Sequence, residues 1–364
     1  MIAEFIDTKD PRWRQFLANA QHDFYHLPDY MEFAAKYEGG TPVAFLAKEQ
    51  DAALLAPLLI RDLPTFLGAP NDWCDAVTPY GYPTPLLVPE GDATTLKRFL
   101  AAFQQSGRER GIITAFFRLH PLLPLPEKAL LDNGTLVEHG QTISIDLSLP
   151  LQEMWTQTSR NHRQNIRKLM RTGFQAELGR WEYLEDFVAI YQQTMERCEA
   201  EEFFFFSDSY FTDLRTVLGE NLQICTVISR QKELAAGGLF SVVGGLVQAH
   251  LAGTANKYLH YAPAKLMFDY ARRWAKETGN TVMHLGGGVG CNDDSLFRFK
   301  TGFSNWTTDF YTFRMILDQD KYTTLNNRWQ EQCAGHEEGT DYFPTYRVDC
   351  GRLSHDPSVK NTDQ

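Results

Sequence analysis

The sequence predicts an α/β fold (α+β mixed sheets), built as two similar units in tandem with a ligand cleft between them. Three observations predict it. The chain has 364 residues, more than one compact core usually holds. A hydrophobic content of 43% and an aromatic content of 13% are enough to fill two cores. The same order of elements also runs twice along the chain: helix, helix, hairpin, helix stopped by glycine, buried strand, final strand. That order divides the chain into 1–147 and 148–334, with a tail at 335–364.

In the first half, Pro11 to Ala20 and Pro28 to Tyr37 read as helices that open on proline. Trp13, Phe16 and Leu17 share a face of the first; Tyr30, Met31, Phe33 and Ala34 line the second. Pro42 to Glu49 and Ala52 to Ile60 form a hairpin turning at Gln50-Asp51. Residues 63–87 are rich in glycine and proline but hold Trp73, Tyr80 and Tyr82. Ala93 to Arg110 carries Leu96, Phe99, Leu100 and Phe103 at helical spacing and stops at Gly111. Ile112 to Leu119 is a buried strand, residues 120–128 a proline linker, and Thr135 to Leu147 the final strand.

The second half repeats the series. Helices at Leu151 to Arg171, Trp181 to Arg197 and Ser207 to Leu218 lead to strands at 222–229 and 234–243, with a turn at Gln231-Lys232. Residues 246–255 add a third strand. Pro263 to Lys276 is a helix ended by Gly279, followed by a strand from Thr281 and a last strand, Trp306 to Leu317.

Composition excludes several functions. With 35 basic and 46 acidic residues the net charge is −11, which argues against DNA as a partner, because duplex binding rests on phosphate neutralisation. The start, MIAEFIDTKD, lacks the basic-then-apolar pattern of a signal peptide, and no apolar run approaches the roughly 20 residues of a membrane span. A cytoplasmic protein without a transmembrane segment is expected. Six scattered cysteines contain no CxxC pair and the histidines no HExxH, so reduced thiols and no metal are expected.

Four stretches can carry chemistry. The first is Thr281 to Phe303: a buried strand, three glycines (Gly286, Gly287, Gly288), then Asp293-Asp294 opening a helix that carries Lys300. Bare amides on a glycine turn and one ammonium suit an oxyanion at a carbonyl under attack. Asp293, Asp294 and His284 are candidate bases; a helix cap for an aspartate and a core position for the histidine are the plainer roles. The second is Ser159 to Gly173, where Arg160, Arg163, Arg167 and Arg171 form one stripe, Lys168 lies beside it, and Ile166, Leu169 and Met170 point the other way. Guanidinium forks suit phosphate, and a solvated helix face is the alternative. The third is the helix start at Pro263, with Lys265 beside an open N-terminus that can take a pyrophosphate; a plain βα connection is the plainer role, and Lys265 a secondary candidate. The fourth is Glu199 to Phe211, whose four consecutive phenylalanines cannot all face one way. Phe205 and Phe206, with Tyr80 and Tyr82 of the first half, are candidate substrate contacts; for the phenylalanines, packing between the domains is the alternative.

SRNHRQNIRKLMRTGF, HLGGG and DDSLFRFKTGF together resemble the GNAT acyltransferase superfamily in its Fem-like branch. TPYGYPTPLL (Thr78 to Leu87) and DYFPTYR (Asp341 to Arg347) look like the same branch. The resemblance implies tandem GNAT-like domains, an acceptor in the cleft, and an activated donor on the second domain. It also implies that Lys300 stands where Fem-type members place a lysine near the donor ester. The activity expected is N-acyl transfer, with no permanently bound cofactor, from acyl-CoA to an amine of a small-molecule or cell-envelope or polysaccharide precursor. Aminoacyl-tRNA as donor, or a binding module for a nucleotide or acyl ligand without turnover, are the alternatives.

Overall fold

The computed structural model describes residues 1–333 and 342–348. The remainder of the expected 335–364 tail, with Cys350, lies outside the described residues. The chain divides into two compact units, each discontinuous: residues 1–21, 25–139 and 310–364 form unit 1, and 22–24 with 140–309 form unit 2. The main segment of unit 2 thus starts at Gly140, against the expected 148, and residues 310–333 and 342–348 fold with unit 1.

In chain order the elements of the first half are β1 (Ile2–Asp7), α1 (Pro11–Leu17), α2 (Pro28–Glu38), β2 (Thr41–Glu49), β3 (Ala52–Asp62), β4 (Cys74–Val77), β5 (Leu86–Val88), α3 (Ala93–Glu109), β6 (Ile112–Arg118), α4 (Glu127–Leu131) and β7 (Thr135–Asp146). Next come α5 (Leu151–Gln157), α6 (Arg160–Arg171), β8 (Gln175–Leu178), α7 (Leu184–Arg197), α8 (Asp208–Leu218), β9 (Leu222–Ile228), β10 (Leu234–Val243) and β11 (Leu246–Thr254). The chain continues with α9 (Ala264–Glu277), β12 (Val282–Gly286), α10 (Ser295–Thr301), β13 (Trp306–Ile316) and α11 (Gln319–Gln332).

Helices α1 and α3 start where predicted because their caps are written locally. Asp10 accepts from Arg12 N at 2.9 Å ahead of α1, and Asp92 accepts from Thr94 N and Thr95 N, each at 3.0 Å, ahead of α3. The expected single helix over residues 151–171 is two. Thr158 turns extended and Ser159 caps α6 through His162 N, so one hydrophobic period gives way to a serine N-cap. Strands β1, β4, β5 and β8 and helices α4 and α11 were not read from the sequence; most are short, and β1 and α11 have weak periodicity.

The two units share one strand plan. In unit 1 the order is β1-β2-β3-β4-β6-β13, antiparallel throughout except for the parallel pair β4 and β6. In unit 2 it is β8-β9-β10-β11-β12-β7, antiparallel except for the parallel pair β11 and β12. A helix links each parallel pair, α3 in the first and α9 in the second, as a parallel crossover requires. The duplication seen in the element order is therefore present in the hydrogen bonding. The final strands are exchanged: β13 closes the sheet of unit 1, and residues 143–146 of β7 close that of unit 2. Element order cannot reveal this, because antiparallel partners carry no sequence label.

Each unit has its own core. Phe45, Phe99, Phe103, Phe117 and Phe313 fill the first, and Ile166, Phe240, Met267, Met283 and Phe303 the second. Cys74, Cys198 and Cys225 are free thiols, while Cys333 is disulfide-bonded, which corrects the expectation that all six are reduced. Spacing in sequence does not show which sulfurs the fold brings within reach. Among the described residues, no helix is long and apolar enough to cross a membrane.

Candidate functional site

In unit 2, β11 and β12 pair from Leu246 with Val282 only as far as Gln248 with His284. Beyond that rung the pairing stops, and a fork opens at the carboxyl ends of the two strands, where α/β sheets place ligands. His284 is fully buried and its Nδ1 lies 2.7 Å from Oε1 of Gln248, across the last rung. The imidazole therefore fastens the base of the fork. With Nδ1–H held by the amide oxygen, the ring's lone pair is on Nε2, which is itself buried.

Strand β12 ends on Gly286, at a φ of 73° that favours glycine. Gly286 and Gly287 are buried and Gly288 half-buried. A Cβ on Gly288 would lie 2.1 Å from the Asn292 carbonyl oxygen and 2.5 Å from Oδ1 of Asp294, so only glycine fits. Asp294 accepts from Phe297 N at 2.7 Å, capping α10, and from Val289 N at 3.0 Å, pinning the turn to the helix. Asp293 is exposed and pairs with Arg298 at 3.2 Å. Of the two aspartates, one is a cap and the other a surface partner.

Lys300 is half-buried and its ammonium donates to the Gly287 carbonyl. The sequence thus placed the lysine and the glycine turn together, and the structure brings them into contact. The carbonyl of the turn, and not its amides, holds the cation in place.

Helix α6 divides its arginines. Arg160 and Arg167 are exposed, the latter 5.4 Å over the Trp155 ring. Arg163 folds back instead: its Nη1 donates to the carbonyls of Trp155, Thr156 and Thr158 at 3.2, 2.8 and 2.7 Å. Those are end carbonyls of α5 that lack helical partners, so Arg163 is a helix-end clamp rather than a phosphate ligand. Met170, expected inward, is 60% exposed.

At the start of α9, Lys265 is nine-tenths buried and its ammonium donates to Oδ1 of Asn161 at 2.6 Å; burial lowers its pKa. It faces the first turn of α6 rather than open solvent. Phe206 stacks on Tyr210 with centroids 3.9 Å apart and lies 6.1 Å from the Tyr191 ring, so it is an intraprotein packing residue. Phe205 is 42% exposed.

Tyr80 and Tyr82 lie in unit 1, apart from this set in the chain's division. Tyr82 packs edge-on against Tyr25, His120 and Phe310. The Tyr80 amide donates to Glu38 at 2.9 Å, and burial pushes the Glu38 carboxyl up to about 7 against the nearby charges of Arg118 and Arg61. A raised carboxyl favours the fold below its unfolded value of 4.5, and that advantage disappears as pH rises through about 7. Wild type should therefore lose up to about 3 kcal/mol relative to Glu38→Gln across that window. Urea unfolding at both ends of the window checks this, and parallel stability curves would show that Glu38 does not hold its proton.

Four participants escaped the sequence reading: Asn161, His162, Gln248 and Gly302. Only Gly302 had a visible signal, as the glycine of FKTGF.

Residues 157–300 match the acetyltransferase (GNAT) domain family. The whole chain is similar in structure to FemX, at 14% identity and a TM-score of 0.70, over 89% of this chain and 99% of that one. It is also similar to the L-PGS of Bacillus licheniformis, at 15% identity and a TM-score of 0.52, over 89% of this chain and 97% of that one. A conserved protein of Bacteroides thetaiotaomicron matches at 10% identity and a TM-score of 0.55, over 86% of this chain and 100% of that one. No curated protein sequence matches the chain. The acetyltransferase (GNAT) domain match thus covers residues 157–300, and the fold of the chain is similar to that of FemX.

Proposed function

We propose that this protein is an N-acyltransferase that moves an acyl group from an acyl-CoA to a primary amine of a small-molecule or cell-envelope precursor. One observation supports it above the rest: a lysine ammonium is fixed against a glycine turn at the mouth of a strand fork. A thioester carbonyl laid in that fork develops negative charge on oxygen as the amine attacks. Lys300 and the amides of Gly286 to Gly288 are the groups that stabilise it. The nitrogen loses its proton, the carbon–sulfur bond breaks, and the thiol leaves with a proton. Holding both substrates in place supplies much of the rate. Arg160 and Arg167 are the cations assigned to the phosphates of the donor.

Titration with acetyl-CoA tests this reading. At 100 times its dissociation constant the ligand should add about 2.7 kcal/mol of apparent stability in a thermal melt. The Arg160→Ala/Arg167→Ala double variant should bind at least about tenfold more weakly with its ligand-free melting temperature unchanged, since a charge-assisted hydrogen bond contributes about 1.5–3 kcal/mol. No shift from acetyl-CoA or free CoA would reject a CoA donor.

The exposed arginines of α6, with no acidic residue in that helix, support a second reading in which the donor is an aminoacyl-tRNA. Retention of an aminoacylated minihelix that falls steeply between 50 and 200 mM salt would favour it, since each phosphate contact adds to the salt slope by roughly 0.9.

A further inference from the structure

Helix α10 has seven residues, none of them fully buried. So short a helix does not hold itself in water, and its position must be set by its ends. The front end is Asp294. The back end, where Lys300 sits, is tied to the first turn of α6. Ser159 N donates to the Gly302 carbonyl at 2.8 Å, and Nε2 of His162 donates to the Phe299 carbonyl at 3.0 Å. The His162 ring also lies between Phe299 and Phe303, at centroid distances of 5.4 and 4.7 Å. It occupies the space a side chain on residue 302 would need: a Cβ there would come within 2.4 Å of the ring.

We propose that His162 is a positioning residue, which fixes the last turn of α10 and thereby holds the Lys300 ammonium on the glycine turn. The proposal rests on the role given to Lys300 above. The bonded carbonyl belongs to Phe299, the residue immediately before that lysine; it also accepts from Gly302 N at 3.2 Å, so without the imidazole it is held only from within its own short helix.

The tautomer follows from the surroundings. His162 is 6% exposed, and burial beside the Lys265 and Arg272 charges holds its pKa down at about 4. The ring is therefore neutral near pH 7 and carries one N–H. A carbonyl accepts, so that hydrogen is on Nε2. Nδ1 is left as a buried acceptor with no partner among the described residues. Such an atom is destabilising in itself, at about 1–3 kcal/mol for an unsatisfied buried group, and an apolar ring would avoid that cost. An imidazole at this position is thus explained by its one donor and not by packing alone. The same helix turn carries Asn161, which accepts from Lys265, so the first turn of α6 grips both lysine-bearing helices.

The test reads Lys300 directly. Competitive labelling of lysines with acetic anhydride, followed by peptide mass spectrometry, is run on wild type, His162→Phe and His162→Gln. Phenylalanine keeps the ring and removes the donor; glutamine returns an N–H at the place of Nε2. We expect Lys300 labelling to rise at least fivefold in His162→Phe and to stay within twofold of wild type in His162→Gln, with Lys168 unchanged in both. Should His162→Phe fail to fold, Gly302→Ala, whose methyl displaces the ring, should show the same rise. Equal Lys300 labelling in wild type and His162→Phe, or an equal rise in the Phe and Gln variants, overturns the proposal. This readout needs no turnover. If Lys300→Ala proves inert in acyl transfer, the functional reading fails while the labelling result stands by itself.

Discussion

Lys300→Ala should reduce turnover by 100-fold or more while leaving the affinity for acetyl-CoA within about threefold of wild type. Removing a single donor from an oxyanion site costs about 10²–10³ in kcat, or about 3–4 kcal/mol of transition-state stabilisation. That charge forms only as the carbonyl is attacked, so the ground-state complex loses little. The lysine also holds the Gly287 carbonyl, and the same substitution takes away that hydrogen bond. Losing it costs about 1 kcal/mol of stability, well short of unfolding, and a thermal melt on the same preparation separates the two effects. Lys300→Arg keeps the charge but spreads it over a planar fork, and should recover only part of the rate. Turnover is followed as thiol release from acetyl-CoA with a panel of primary amines. If Lys300→Ala lost affinity in proportion to rate, the lysine would be a binding group. If it lost neither, the fork would not be a reaction site.

The chemistry of this region was legible because glycine and aspartate announce backbone geometry. Three glycines after an apolar strand can only be a turn, and aspartate ahead of an apolar run is a cap; Gly288 and Asp294 fill those roles against each other. Charge was legible as composition but not as direction. Arg160, Arg163 and Arg167 look alike in a stripe, yet Arg163 closes back onto three carbonyls because α5 ends one turn before it. The missed break at Thr158 and the misread arginine are therefore one error. A continuous helix leaves no exposed carbonyls for the guanidinium to meet.

The duplicated architecture was visible as repeated order, since local periodicity marks each helix and hairpin. The exchange of β7 and β13 was not, because strand pairing is decided by long-range register that a single strand does not encode. Buried polar residues were the other blind spot. His162 sits in a run of basic residues and reads as part of a cationic surface, although its ring lies in the apolar packing of Phe299 and Phe303.

Asp269→Ala should destabilise unit 2 by about 3–5 kcal/mol. Arg272 is 1% exposed and Asp269 3% exposed. The carboxylate accepts from Nε and Nη2 of Arg272 at 3.1 and 2.5 Å and pairs with Arg273 at 3.0 Å. Arg272 has one further anchor, the Met154 carbonyl at 3.3 Å, and its guanidinium carbon lies 5.7 Å from the Phe303 ring centroid. Taking away the carboxylate leaves a guanidinium buried without a counter-charge, and breaking one side of such a pair costs about 3–5 kcal/mol. Removing both charges together is a different matter, because the pair's own attraction is largely offset by its desolvation. Asp269→Leu with Arg272→Met should therefore recover most of the loss. The cost should also fall on α9 and not on unit 1, and amide exchange in residues 264–277 against residues 93–109 reads the two separately. A cost for Asp269→Ala below about 1 kcal/mol, the level of an exposed pair, would mean that water reaches the guanidinium and that the core of unit 2 is more open than its burial implies.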